Sequence, residues 1–237
     1  MFKFLILAFI TIPALLVSSQ SKLNTRDVKR HNYLVEKVKK EKHFDLLLLG
    51  DSITHLLDAP EHLHKNWIRQ SGKNNAYLKQ ELPSKKVLVA GISGETTVQL
   101  LSRLQNGLAQ AQSKFTVIMI GTNDTKTKLT EKDVAANIEE MVKIINVHNP
   151  KTKILLYAIF PRGPVPAKDA NHIKNEKVNQ LLAGFPEKFK NLKFIDINKD
   201  FLDQKGHLSK LIMYDFLHPA LQGYKTWIKS IKSEIIE

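Results

Sequence analysis

Five short apolar runs punctuate the chain, at Asp45–Leu49, Lys86–Ala90, Phe115–Ile120, Lys153–Ile159 and Leu192–Ile197. Nearly continuous apolarity over so few residues reads as strands buried on both faces. Between and after them the spacing turns helical. The clearest stretch is Thr130–His148, with Thr130 and Asp133 at capping-box spacing and Asn149-Pro150 as its stop. Others are Thr97–Gln112, interrupted near Gly107, then Asp169–Ala183 and Pro219–Ile236. Alternating strands and helices without an internal repeat predict an α/β fold: three layers, a five-stranded parallel sheet with helices on both faces.

Ahead of the first strand, residues 20–44 read as a basic leading helix. Eight Lys or Arg face three Asp or Glu from Lys22 to Lys42, with Val28, Leu34, Val35 and Val38 as a partial apolar stripe. A solvated face packed on the domain by that stripe is favoured over contact with glycan or lipid. Earlier still, residues 1–19 read as a secretory signal: a weakly basic start, an apolar run Phe4–Val17 broken by Pro13, and small residues at Val17-Ser18-Ser19. The run falls short of the roughly 20 residues needed to span a bilayer, so export to periplasm or medium is expected, with an uncleaved anchor as the alternative.

With 237 residues, 43% hydrophobic and 25% charged, and no Pro/Gly/Ser-rich linker, the chain predicts one compact domain over residues 45–237. The lack of cysteine excludes a disulfide framework, a thiol nucleophile and a lipid-modified cysteine. A net charge of +13 favours anionic surfaces. Only five of the 36 basic residues are arginine, so base reading in nucleic acid is not expected.

Ligands of such sheets bind beyond the carboxyl ends of the strands. Small-polar clusters fall there after the first three strands: Gly50-Asp51-Ser52, then Gly91 through Thr97, then Gly121-Thr122-Asn123-Asp124. A fourth, Asp215-Phe216-Leu217-His218, precedes the last helix. Together they supply what acyl transfer by serine requires. Ser52 is the nucleophile, His218 the base, and Asp215, three residues earlier, can orient its imidazole. Gly94 offers a bare backbone N–H and Asn123 an amide donor for the oxyanion. With nine histidines in the chain, spacing alone leaves chance pairing open.

In order and spacing these four blocks resemble the SGNH (GDSL-type) hydrolase superfamily. The likeness is strongest to the catalytic subunits of platelet-activating factor acetylhydrolase Ib and related bacterial esterases. Connecting stretches share it: Arg103-Leu104-Gln105-Asn106-Gly107, Phe160-Pro161-Arg162-Gly163 and Asn175 through Leu182. The resemblance implies a flavodoxin-like sheet, a Ser52–His218–Asp215 triad, and an oxyanion hole made by the Ser52 and Gly94 N–H groups and the Asn123 side chain. It implies no metal or organic cofactor. One departure is Val89, where many relatives carry Asn five residues before the oxyanion glycine. Thr54, in place of the second glycine of a Gly-x-Ser-x-Gly elbow, argues against an α/β-hydrolase.

Other residues admit plainer readings. Asp51 and Asp124 are expected to order loops through nearby backbone N–H groups. His55, His62 and His64, with Asp58 and Glu61, lack zinc-site spacing and read as surface loop. Gly91-x-x-Gly94 lacks the third glycine of a dinucleotide fingerprint. Trp67 and Tyr77 read as packing residues rather than sugar platforms. Arg162 is either a loop anchor or a substrate-facing cation. The expected function is hydrolysis of short-chain, chiefly O-acetyl, esters of a carbohydrate or small polar alcohol, with activity falling at acid pH as His218 protonates. Lysophospholipid or platelet-activating-factor-like esters, acyl transfer to a sugar, and a non-catalytic glycan-binding module are the alternatives. Oligomeric state is left open, a homodimer included.

Overall fold

The computed structural model describes residues 22–59, 61 and 67–236. The signal-like segment, His62 and His64 lie outside them. Strands β1 (His43–Gly50), β2 (Val87–Val89), β3 (Gln112–Met119), β4 (Lys153–Tyr157) and β5 (Leu192–Ile195) form one sheet in the order β2-β1-β3-β4-β5. Every neighbouring pair is parallel. The helices are α1 (Val28–Glu41), α2 (Ser52–His55), α3 (Ile68–Glu81), α4 (Thr97–Gln105), α5 (Glu131–His148), α6 (Ala170–Leu182), α7 (Phe185–Lys188) and α8 (Leu221–Ile235).

Period-two alternation explains why the strands read as unbroken apolar runs, since both faces are covered. Leu47, Leu49, Ile118 and Ile120 pack with Leu34, Leu100, Leu104, Ile138 and Leu182 on the face covered by α1, α4, α5 and α6. Leu46, Leu48, Val117 and Met119 point the other way, onto Ile53, Leu78, Tyr224, Trp227 and Ile231 from α2, α3 and α8.

Local signals place most element ends. Thr130 and Asp133 form the expected reciprocal capping box of α5. Asp169 caps α6 by accepting from His172 N–H at 2.8 Å. Thr97–Gln105 ends ahead of Gly107, whose φ of +107° turns the chain into a short 3-10 segment at Leu108–Gln110. Two expectations shift. The leading helix starts only at Val28, while residues 22–27 run ahead of it as a strap and His43 and Phe44 already belong to β1. Helix α3 was not signalled, because Gly72 and Asn74-Asn75 are poor helix formers. Tertiary contacts hold it instead: Asn74 and Asn75 donate to the Leu56 and Leu57 carbonyls at 3.2 and 2.9 Å.

The chain leaves β1 to form β2 on one side and then crosses to β3 on the other. Strand order therefore reverses at β1, and the crevice beyond its carboxyl end is where such sheets bind ligands.

Candidate active site

Ser52 opens the one-turn helix α2 at that crevice. Asp51 caps the turn, its Oδ1 accepting from Ile53 N–H at 3.0 Å, which is the loop-ordering role expected of it. Burial without a second partner pushes the Asp51 carboxyl up to about 7. Tyr224 of α8 braces the same turn by donating to the Ile53 carbonyl at 2.8 Å. Gly91 lets the loop after β2 lie against it; a Cβ there would come within 2.6 Å of the Asp51 carbonyl oxygen and would meet His55 N.

His218 reaches this point from the far end of the chain. Its Nε2 lies 2.8 Å from Ser52 Oγ, and its Nδ1 lies 2.7 Å from Asp215 Oδ2. Asp215 Oδ1 also accepts the His218 and Leu217 backbone N–H groups at 2.7 and 3.1 Å. Burial raises the Asp215 carboxyl, but the hydrogen bonds from the His218 side chain and backbone outweigh it and hold the group below its ordinary value. Between the two residues Phe216 adopts φ +60°, a left-handed conformation that non-glycine residues seldom take. Its carbonyl accepts from Gly163 N–H at 2.8 Å, so the neighbouring loop secures the strained turn.

Trp67 lies edge-on to the imidazole, ring centres 4.9 Å apart, and Tyr214 stacks beside it at 5.9 Å. Trp67 therefore packs, as expected, but against the proposed base. Tyr77 lies under Lys225 Nζ at 5.3 Å.

Gly94 sits in the loop after β2 at φ +78°. Neither its N–H nor that of Ser52 has a partner among the described residues. Asn123 donates one amide hydrogen to the Glu95 carbonyl at 2.9 Å, leaving the other for a ligand. Asp124 receives Thr97 N–H at 3.0 Å and Thr97 Oγ1 at 2.6 Å, tying this loop to the start of α4. The structure thus brings Ser52, Gly94, Asn123, Asp215 and His218 to one edge of the sheet.

Arg162 is engaged elsewhere. Its Nη1 donates to the Thr122 carbonyl at 3.3 Å and its Nε lies 3.8 Å from Asp169, contacts that match the loop-anchor alternative. Asn179 pins the end of β4 by bonding Ile159 N and O at 2.8 and 3.0 Å, and Asn175 donates to Thr122 Oγ1 at 3.3 Å. His55 and Asp58 correct the surface-loop expectation. His55 is buried, with Nδ1 at 3.0 Å from Ser93 Oγ, while Asp58 pairs with Arg30 at 2.8 Å.

Several supporting groups carry little sequence signal. Glu95 and Arg103, both fully buried, form an ion pair at 2.8 Å directly behind Gly94. An arginine one residue before Leu104, on the apolar stripe of α4, is the only hint of it. Arg30 holds the loop at the Val89 departure by donating to the Val89 and Gly91 carbonyls at 3.1 and 2.8 Å.

A three-layer parallel sheet with Ser, His and Asp meeting at its carboxyl edge, beside free N–H groups, defines a class of hydrolases built on the flavodoxin-like fold. Residues 48–226 match the GDSL-like Lipase/Acylhydrolase family, and the chain belongs to that family. It is similar to platelet-activating factor acetylhydrolase IB subunit alpha2 of Rattus norvegicus, 34% identical over 213 residues, covering 90% of this chain and 84% of that protein. The alpha1 subunit of the same species is 28% identical over 200 residues, covering 83% and 77%. Among solved structures, a GDSL-like lipase from Bacteroides thetaiotaomicron superposes with TM-score 0.65 at 21% identity, covering 87% of this chain and 97% of that one. A variant of an acetyl-xylooligosaccharide esterase from Geobacillus superposes with TM-score 0.64 at 21% identity, covering 82% and 95%. These two likenesses bear on the fold.

Proposed function

We propose that this acylhydrolase is an exported serine esterase that removes short acyl groups, chiefly acetyl, through a covalent Ser52 intermediate. The observation that carries the reading is the continuous pair of contacts Ser52 Oγ to His218 Nε2 at 2.8 Å and His218 Nδ1 to Asp215 at 2.7 Å. Ser52 attacks the ester carbonyl carbon as His218 Nε2 takes its proton, and Asp215 stabilises the imidazolium that forms. The tetrahedral oxyanion is met by the Ser52 and Gly94 N–H groups and the free Asn123 hydrogen. The alcohol leaves with the proton from His218. Water then attacks the acyl-enzyme by the same route in reverse.

Short acyl groups are supported by the names of two similar proteins, an acetylhydrolase and an acetyl-xylooligosaccharide esterase. Identity of 34% to the rat subunit favours a second reading of the substrate, a phospholipid-like acetyl ester in place of a carbohydrate one. Export rests on the signal-like residues 1–19.

Turnover of 4-nitrophenyl acetate, butyrate and octanoate by the protein and by Ser52→Ala tests the reading. Acetate should be the best substrate, and Ser52→Ala should lose activity by a factor on the order of 10⁵ to 10⁶. Equal rates with and without Ser52 would sink the esterase, and octanoate far above acetate would sink the short-acyl form.

A further inference from the structure

The strap ahead of α1 ends at the proposed oxyanion loop. Asn24 N–H donates to Ser102 Oγ at 2.9 Å, Thr25 Oγ1 donates to Glu95 Oε1, and Arg26 N–H reaches the same oxygen at 3.4 Å. Glu95 is thereby shared. One oxygen holds the strap, and the other faces Arg103 at 2.8 Å in a fully buried ion pair. This fixes the backbone of Arg26 beside Gly94 and engages both Glu95 oxygens with other groups.

The Arg26 guanidinium lies directly over Gly94. A Cβ built on that glycine would stand 3.2 Å from Arg26 Nε and 3.3 Å from Cδ and Cζ. Four arginine side chains are described. Arg30 is bound to Asp58 and two carbonyls, Arg103 to Glu95 and the Ala90 carbonyl, and Arg162 to Thr122 and Asp169. Arg26 alone among them has no side-chain hydrogen bond or ion pair within the described residues, and it is exposed. An unpaired fork of donors held at a reaction centre is suited to a carboxylate or phosphate, which it can bind through two parallel N–H contacts.

We propose that Arg26 is a specificity-determining residue that binds an anionic group of the substrate, so that the protein prefers esters bearing a carboxylate or phosphate near the scissile bond. The assignment rests on the reading of Ser52 as the nucleophile. It deepens that reading by naming a substrate class.

Two matched ester pairs locate the anion. Methyl 3-acetoxybenzoate and 3-acetoxybenzoate differ by a charge on the alcohol side, and phenyl methyl succinate and phenyl hydrogen succinate by a charge on the acyl side. For at least one pair, the ratio of kcat/KM for the anionic to the neutral ester should fall about tenfold in Arg26→Gln, mostly through KM, and be partly retained in Arg26→Lys. In the unmodified protein the same ratio should decline as NaCl rises from about 0.05 to 0.5 M. Either variant alone decides the matter should the other fail to fold. Ratios within about twofold of the unmodified protein in both variants, or indifferent to salt, would overturn the role of Arg26 while leaving Ser52-dependent turnover standing. Turnover that survives Ser52→Ala would overturn the hydrolase reading and this assignment with it.

Discussion

On one side of the crevice, Gly94 and Asn123 are held by buried charge: Glu95 against Arg103, Arg30 against backbone carbonyls, and Asp124 against the start of α4. On the other, His218 is held by a four-residue turn and by the rings of Trp67 and Tyr214. The difference suits what each side does in the proposed mechanism. Oxyanion donors have to stay fixed while charge develops, and a buried ionic network with few alternative arrangements serves that need. The imidazole gains and loses a proton in that mechanism, and it is held by one carboxylate and two aromatic rings rather than by a buried ionic network.

The contrast predicts where function and stability separate. Asp215→Asn should lower kcat by about 10⁴ with little loss of stability, because it disturbs the orientation and charge of the base and little packing. A fall below about tenfold would show that the turn alone orients the ring. Arg103→Met on the other side should weaken the fold itself. Leaving Glu95 buried and unpaired should cost about 3 to 5 kcal/mol in urea unfolding. A cost under about 1 kcal/mol would erase the distinction between the two sides.

Asn123→Ala should slow turnover about a hundredfold or more, roughly 3 kcal/mol of barrier, with KM little changed. Trp67→Leu should reduce kcat severalfold, in line with about 1 kcal/mol for an edge-on ring pair. The smallest effect concerns acid stability. Because Asp215 is held below its ordinary value, its ionised form stabilises the fold above the unfolded-state value near 3.8, and that stabilisation is lost as pH falls through the lower folded value. Exposure of the carboxylate limits the effect to under about 1 kcal/mol. Comparing urea midpoints of the protein and Asp215→Asn from pH 5 down to pH 2 checks it, and an opposite trend would reverse the assigned direction.

The five strands, their parallel pairing and most helix boundaries were legible along the chain. Each depends on local rules: apolar runs, caps such as Thr130, a glycine break at Gly107, and small-polar turns after successive strands. Ser52 and His218 stand 166 residues apart; spacing alone left their pairing open, and the resemblance of the four blocks to the hydrolase superfamily marked both. What surrounds them was decided by folding. Glu95 meets Thr25 and Arg26 across 70 and 69 residues, Trp67 meets His218, and Arg30 settles on the Val89 loop. A charged or aromatic residue carries the same local propensities wherever its partner lies, so its spacing along the chain says nothing of the encounter. Turn and strand signals could place the blocks that carry the proposed reacting groups, because those blocks ride on the backbone elements that the signals define. The groups that hold them in place meet only once the sheet has closed around its core.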